Sequence, residues 1–508
     1  MDYSTTRDML DTRTTWTWLI LGLLLLPACE GFLDRAPLNQ YTSENYWEDE
    51  TQITLAVNAI YPILRSQYTG PIWRFGEFRS DNTTFQYNEL DRGGMALEQL
   101  DYFLAEATLG DIGGLWNSCY TAIARANFLL ASIETAAFTQ EANRVIREAE
   151  ARFLRAFMYY HLVIHYGDVP LVLEVVVDEA EALAKGRDPV DAIYAEAIIP
   201  DLTFAIEHLP AVHPPAEKGR ATRAAAQVLL AKAHFARRDY AAALPLLDAV
   251  VNSGAFSLMN QYRDVFDPAF KSANPEVIFA AAFATSANQG SGFMIGWLPF
   301  NSGSDITQGV NPSSRAGLNI PTRDMIAAYE PGDARLAASV GFYVDRGDTT
   351  PYVRKYVFPP IEAGGTNVDW PIFRYADVLL MQAEARLELQ GGLPDPVFET
   401  INQLRARAGL PFIYPGNPDP KLDVQSEDDL RAFLRRERRV ELAFESARWQ
   451  DLRRYGTVEA VMQAHGIDQR TYQDFLAAFP DAYTRIPELI AIPAFQALQY
   501  GYPQNPGW

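Results

Sequence analysis

His161 and His165 stand four residues apart in a helical pattern, a spacing that sets two imidazoles on one face and within reach of one metal ion. A zinc-protease helix needs Glu directly after the first His, and Leu162 occupies that position. The surrounding pattern is apolar on most sides, so packed histidines are expected and no metal is assigned. His208, His213, His234 and His465 are scattered, and no cysteine cluster or EF-hand loop accompanies them. Ser291 and Ser304 lie near glycines but outside the G-x-S-x-G context of a nucleophile. Neither G-x-x-x-x-G-K-[ST] nor G-x-G-x-x-G occurs, so no nucleotide or other cofactor is expected. A glycosidase needs only two carboxylates about 5–10 Å apart, a separation that sequence does not display.

Binding has better support than catalysis. A sugar ring presents C–H groups to a flat aromatic face, and its hydroxyls take hydrogen bonds from nearby amides, carboxylates or guanidinium groups. Three stretches, Trp73–Gly94, Ser286–Pro321 and Gly341–Trp370, are rich in Gly, Asn, Ser, Asp and aromatics and lack sustained periodicity. Such long non-periodic stretches in a compact chain are functional or disordered, and their aromatics argue against disorder. The first offers Trp73, Asp81, Asn82 and Tyr87 as ligand-contacting residues; the second offers Phe293, Trp297 and Phe300, with Asn301 and Asn311 nearby.

Helices must carry these loops. Arg223–Ala236 and Tyr240–Asn252 read as a helix pair around Arg237-Arg238-Asp239, with small residues (Ala226, Ala233, Ala243) alternating with leucines so that the two can pack closely. Phe373–Leu389 and Asp395–Ala408 form a second such pair across Gly391-Gly392. Further helices are expected at about Asp49–Ser66, 115–135, 148–166 and 191–208, and LVLEVVV after Pro170 reads as a short extended stretch. The predicted fold class is mainly α: a tetratricopeptide-like scaffold, with helical pairs at about 115–253 and 373–445, long irregular loops and a few short strands.

The 508 residues carry a net charge of −21, which argues against nucleic acid as a partner. Trp16 to Ala28 is an apolar run with Arg7 and Arg13 before it, too short for a bilayer span of about 20 residues but suited to a signal-peptide core. It ends Leu26-Pro27-Ala28-Cys29, which resembles a bacterial lipobox with Cys29 as the acylated residue. Residues 1–28 are therefore expected to be a removable leader, with the membrane reached through the lipid on Cys29. Cys119, the one other cysteine, is expected to be a small buried hydrophobe.

The stretch Leu434–Gly456, LRRERRVELAFESARWQDLRRYG, sets Glu437 on a helical face with Leu430, Phe433, Leu434, Val440 and Phe444. A carboxylate on an apolar stripe must be paired, and Arg438, Arg439 and Arg448 are at hand to pair it. The same stretch resembles the C-terminal signature of the SusD/RagB family through Glu437, Arg438, Arg439, Glu441, Leu442, Ala443, Phe444, Glu445, Arg448, Trp449, Asp451, Leu452, Arg453 and Arg454. The opening Phe32-Leu33-Asp34 with Pro37, Thr42 and Trp47, the tripeptide Ser80-Asp81-Asn82, the segment FLRAFMYYHLVIHYGDVPLV and the closing QNPGW resemble the same family. The resemblance implies a single SusD-like ligand-binding domain over 29–508, held to the outer membrane by Cys29 and facing the medium. It further implies a non-enzymatic lipoprotein that captures oligosaccharide or polysaccharide for a SusC-type TonB-dependent transporter. In that reading Glu437, Arg438, Arg439, Glu441, Arg448 and Trp449 are structural. A peptide-binding member of the family and a surface-anchored glycoside hydrolase are the alternatives.

Overall fold

Long runs with apolar residues at helical spacing become the helices that organise this protein. The computed structural model describes residues 47–508 apart from 179–180, 182–183 and 286–288. The expected leader 1–28, the Cys29 expected to carry the lipid and the Phe32–Thr42 opening lie outside the described residues. Helices of eight or more residues are numbered α1 (Glu50–Asn58), α2 (Tyr61–Tyr68), α3 (Gly110–Ser132), α4 (Glu141–Tyr166), α5 (Ile199–His208), α6 (Arg223–Ala236), α7 (Tyr240–Asn252), α8 (Tyr375–Gln390), α9 (Asp395–Ala408), α10 (Glu427–Glu441), α11 (Arg448–Tyr455) and α12 (Val458–Arg470).

The packing follows a tetratricopeptide-like series. Helix α3 lies on α4, α4 on α5, α5 on α6, α6 on α7, α7 on α8, and α8 on both α9 and α10. Caps set several of the starts: the side chains of Thr222, Asp239 and Ser426 accept from the backbone N–H three residues on, at Ala225, Ala242 and Asp429. Leu380, Leu387, Ile401, Leu404, Leu430 and Leu434 meet in one core shared by α8, α9 and α10. Both expected hairpins, α6–α7 and α8–α9, are present.

Between α7 and α8 the chain makes a long excursion, residues 253–374, and its two ends are tied together. Strand β2 (Val277–Ala281) pairs antiparallel with β6 (Trp370–Arg374), which leads directly into α8. Within the excursion, β4 (Val340–Asp345) and β5 (Asp348–Val353) form a hairpin, and β3 (Ile320–Pro321) pairs with β1 (Thr83–Thr84). The excursion is thereby pinned to the scaffold and to the loop after α2.

Several local expectations need correction. The predicted helix Asp49–Ser66 is two helices, because Pro62 has no N–H to continue the ladder and instead takes a place in the first turn of α2. Around Pro200, a π turn at Tyr194–Ile198 precedes α5. The run after Pro170 joins no strand ladder; side chains satisfy its backbone, with the Tyr159 hydroxyl accepting from Val172 N at 2.7 Å and Asn127 Nδ2 donating to Val172 O at 2.9 Å. Trp73–Phe78 is helical, and the Gly341–Trp370 stretch contains the β4–β5 hairpin. The two turn residues of that hairpin, Arg346 and Gly347, have φ of 50° and 98°, which suits the twist of a tight two-residue turn.

The signature is not one continuous helix. It is α10, a turn over Leu442–Ala447, and α11, with Phe444 (φ 65°) and Ser446 (φ 63°) in the left-handed region. This conformation is held by buried contacts: Lys355 Nζ donates to Ala443 O at 2.6 Å and the Tyr356 hydroxyl to Phe444 O at 3.2 Å.

Candidate functional site

The chain leaving β1 brings Gln86 and Tyr87 to the surface beside the second loop. Gln86 N donates to Gly317 O at 2.7 Å. Gly317 has φ +83°, and a Cβ there would lie 2.7 Å from Gln86 Cβ, so only glycine permits this approach. The Gln86 amide then bridges the loop: Phe300 N donates to its Oε1 at 3.1 Å, and its Nε2 donates to Asn301 Oδ1 at 3.3 Å. Asn301 Nδ2 reaches Asp345 Oδ2 at 2.8 Å on the β4–β5 hairpin. From the same hairpin the Tyr343 hydroxyl donates to Asp305 Oδ2 at 3.1 Å.

Aromatic rings border this polar line. Tyr87 is 37% exposed and stacks on Phe475 with centroids 4.3 Å apart and planes 9° from parallel. The Arg92 guanidinium lies 4.4 Å from the Tyr87 ring and is itself anchored on Glu98. Phe300 is half-buried, Asn301 is exposed, and Phe342 projects outward from β4 at 53% exposure. Four segments distant in sequence thus present rings alternating with amide and carboxylate groups. Such a surface can hold a polyhydroxylated ring by its C–H face and its hydroxyls together.

Of the residues expected to touch ligand, Tyr87 and Phe300 lie at this surface. Trp73, Phe293 and Trp297 do not. They are buried in an aromatic cluster in which Trp73 lies 5.1 Å from Trp297, Phe293 5.0 Å from Trp297 and 5.1 Å from Trp370, ring centre to centre. Each packs the loops onto the scaffold, where no sugar can reach a ring face. Asp81 and Asn82 are also corrected: both are buried and face the signature. Arg448 donates to Asp81 from Nε at 2.7 Å and from Nη2 at 2.8 Å, and Arg439 Nε donates to Asn82 Oδ1 at 2.9 Å. Burial pushes the Asp81 carboxyl up, and Arg439 and Arg448 outweigh it, holding it well below the usual carboxylate range. Phe475, Arg92 and Tyr343 belong to the surface although the sequence reading passed over them. The alternation of Val340–Asp345 before a two-residue turn was the available signal for Tyr343.

The signature residues form a buried ion network, in which the partner of Glu437 is none of the three arginines expected from the sequence. Glu437 pairs with Arg335 (2.5 Å) and not with Arg438, Arg439 or Arg448. Adjacent helical positions point apart, so the partner comes from another element. Arg438 bonds Asp377 and Asp451, and Glu441 gathers Arg335, Arg374 and Arg407. Trp449 is 1% exposed, with the Arg79 guanidinium 4.3 Å from its ring. His161 and His165 are buried with parallel rings 5.9 Å apart. Among the described residues, no group of three or more His, Cys, Asp or Glu is placed to hold a metal ion.

Comparison with known proteins covers both ends of the chain. A family model described as SusD family matches residues 334–508, and one described as starch-binding associating with outer membrane matches residues 32–235. SusD-like protein P2 of Formosa agariphila is 26% identical over 97% of this chain and 99% of its own length; SusD-like protein P25 of the same organism is 26% identical over 86% and 88%. Among solved structures, a SusD superfamily protein from Parabacteroides distasonis superposes with a TM-score of 0.74 at 22% identity, covering 92% of this chain and all of that one. Surface glycan-binding protein A from Bacteroides fluxus gives 0.73 at 24% identity, over 91% of this chain and 100% of its own, and a laminarin-binding SusD-like protein gives 0.73 at 22%, with the same coverage. With the signature residues assembled as one buried network, these matches lead to one conclusion: the chain belongs to the SusD/RagB family.

Proposed function

We infer that this protein is a cell-surface glycan-binding lipoprotein that captures oligosaccharide or polysaccharide and passes it to a SusC-type TonB-dependent transporter. It is held in the outer membrane by a lipid on Cys29 and faces the medium. The observation that carries the reading is the exposed Tyr87 ring, stacked on Phe475 and continued by Phe300 and Asn301 across the Gln86 bridge. Rings fixed by stacking and amides fixed by hydrogen bonds lose little freedom when a ligand arrives, which favours binding. Structural neighbours named for glycan or laminarin binding support a carbohydrate as the cargo. Capture requires only that ligand favour one state of the receptor over another, so no bond needs to be cleaved.

Among the described residues no helix is long and apolar enough to cross a membrane, which is compatible with attachment through Cys29 alone. The test is native affinity electrophoresis of the mature chain in gels carrying different polysaccharides. Retardation by at least one, with that polysaccharide recovered at its original length, is the expected result. Cleavage of the polysaccharide would overturn the reading.

A further inference from the structure

The arginines of Leu434–Gly456 are not all taken up by the buried network. Four of them, Arg435, Arg436, Arg439 and Arg448, line a shallow trough between α10, α11, α12 and the short helix Arg323–Ala328. None of Tyr87, Phe300, Asn301 or Tyr343 lines it. Its volume is about 390 Å³, within the range of about 300–1,000 Å³ typical of small-molecule sites. Exposed Ala327 and half-buried Ala328 and Val461 supply aliphatic surface, and Asp324 is the one carboxylate among the described lining residues.

The trough is cationic on a chain whose net charge is −21. Arg435 and Arg436 stand four and three residues before Arg439, so α10 presents all three guanidinium groups on one side. Like charges at this spacing repel, and such a row costs stability unless anions offset it. The anions present serve it unequally. Arg439 pairs with Asp324 at 2.7 Å and with buried Asp81, which Arg448 shares. Arg436 pairs at 2.7 Å with Glu330, which Arg405 shares. Arg435 has neither an ion pair nor a hydrogen bond among the described residues; its guanidinium lies 4.0 Å from the Tyr455 ring. Stacking on a ring leaves the N–H edge of a guanidinium free to donate. These donors are open: Arg436 is exposed, Arg435 is half-buried, and neither its nitrogens nor Nη1 of Arg439 and Arg448 is sealed from solvent.

We propose that this trough is a second binding site, for a sugar ring carrying a sulfate or phosphate ester. The ester sits on Arg435 and Arg436 and the open edges of Arg439 and Arg448, with the C–H face of the ring against Ala327 and Val461. An ester of either kind offers three terminal oxygens in a tetrahedral array, which take donors from several guanidinium groups at once, whereas a carboxylate offers two oxygens in a plane.

The test is isothermal titration of the mature chain with glucose 6-sulfate and glucose 6-phosphate, with glucose and inorganic sulfate as controls. Saturable binding of one ester per chain is expected, at least ten-fold tighter than either control. Arg435→Ala should weaken it at least ten-fold at an unchanged melting temperature, because Arg435 holds no ion pair in the fold. Arg436→Ala should weaken it several-fold, and decides the matter should Arg435→Ala fail to fold. Arg223→Ala, which removes an exposed arginine from the start of α6, should leave it unchanged and so separates this site from a general effect of charge. Absence of saturable ester binding, equal affinity for inorganic sulfate or glucose, full affinity in a folded Arg435→Ala or in Arg436→Ala, or an equal loss in Arg223→Ala would each overturn the proposal.

Discussion

Ser446 N donates to Oε1 of Glu77 at 2.6 Å, joining the signature turn to the helical segment that follows α2, 369 residues away in sequence. The two backbones are so close that a Cβ on Gly76 would lie 2.5 Å from Ser446 Cβ. Glu77 is fully buried and its Oε2 has no partner, and burial, opposed by the Ser446 N–H and Lys355, pushes its carboxyl up to about 8. At neutral pH it is mostly protonated.

The sign of its pH dependence follows. Folded Glu77 binds a proton more tightly than the unfolded chain, so its contribution is complete below about pH 4.5 and is lost as pH rises through about 8. The loss is on the order of a few kcal/mol by linkage. Glu77→Gln keeps an acceptor for Ser446 N and removes the titration. Denaturant unfolding at pH 5 and pH 9 should show the parent losing stability relative to this variant as pH rises; parallel curves would refute the assignment.

Glu441 behaves in the opposite sense. Burial raises its carboxyl, but Arg407, Arg374 and Arg335 together hold it well below the usual carboxylate range. Its contribution is present above the unfolded value and is lost as pH falls toward the folded one. Truncation leaves buried guanidinium groups uncompensated, so Glu441→Ala should cost about 3–5 kcal/mol in chemical denaturation at pH 7.

Trp297 is wholly buried, so Trp297→Ala should destabilise by about 3–5 kcal/mol and leave glycan affinity of the folded fraction unchanged. A full loss of affinity in a variant of unchanged stability would restore Trp297 to the ligand surface.

Gly317 supplies a backbone conformation that other residues adopt at a cost of about 1–3 kcal/mol. Gly317→Ala should lower the melting temperature and weaken glycan binding together, because Gln86 must shift and Asn301 with it.

The scaffold was legible from periodicity and turns alone. α6 and α7 begin and end at the residues that apolar spacing and the Arg237-Arg238-Asp239 turn indicate, because both features are local. The loop surface was legible only as regions. Whether an aromatic in a non-periodic stretch faces water depends on its tertiary partners: Trp297 is wholly covered, by Trp73 and Trp370 among others, whereas Tyr87, flanked by Phe475 and Arg92, keeps 37% of its surface exposed. Nothing near Tyr87 in sequence announces Phe475, which arrives from a short helical turn close to the C-terminus. Glu437 was correctly read as a paired buried carboxylate, but helical geometry could not name Arg335, which lies 102 residues away.

The most direct measurement compares glycan affinity in the parent, Tyr87→Ala and Trp297→Ala, by calorimetry with a polysaccharide that retards the parent in gels. A stacking ring is worth about 0.5–1.5 kcal/mol, so Tyr87→Ala should bind several-fold to ten-fold more weakly at unchanged stability, while folded Trp297→Ala binds as the parent does. Equal affinity of the parent and Tyr87→Ala would contradict the loop surface as the place where this protein holds its cargo.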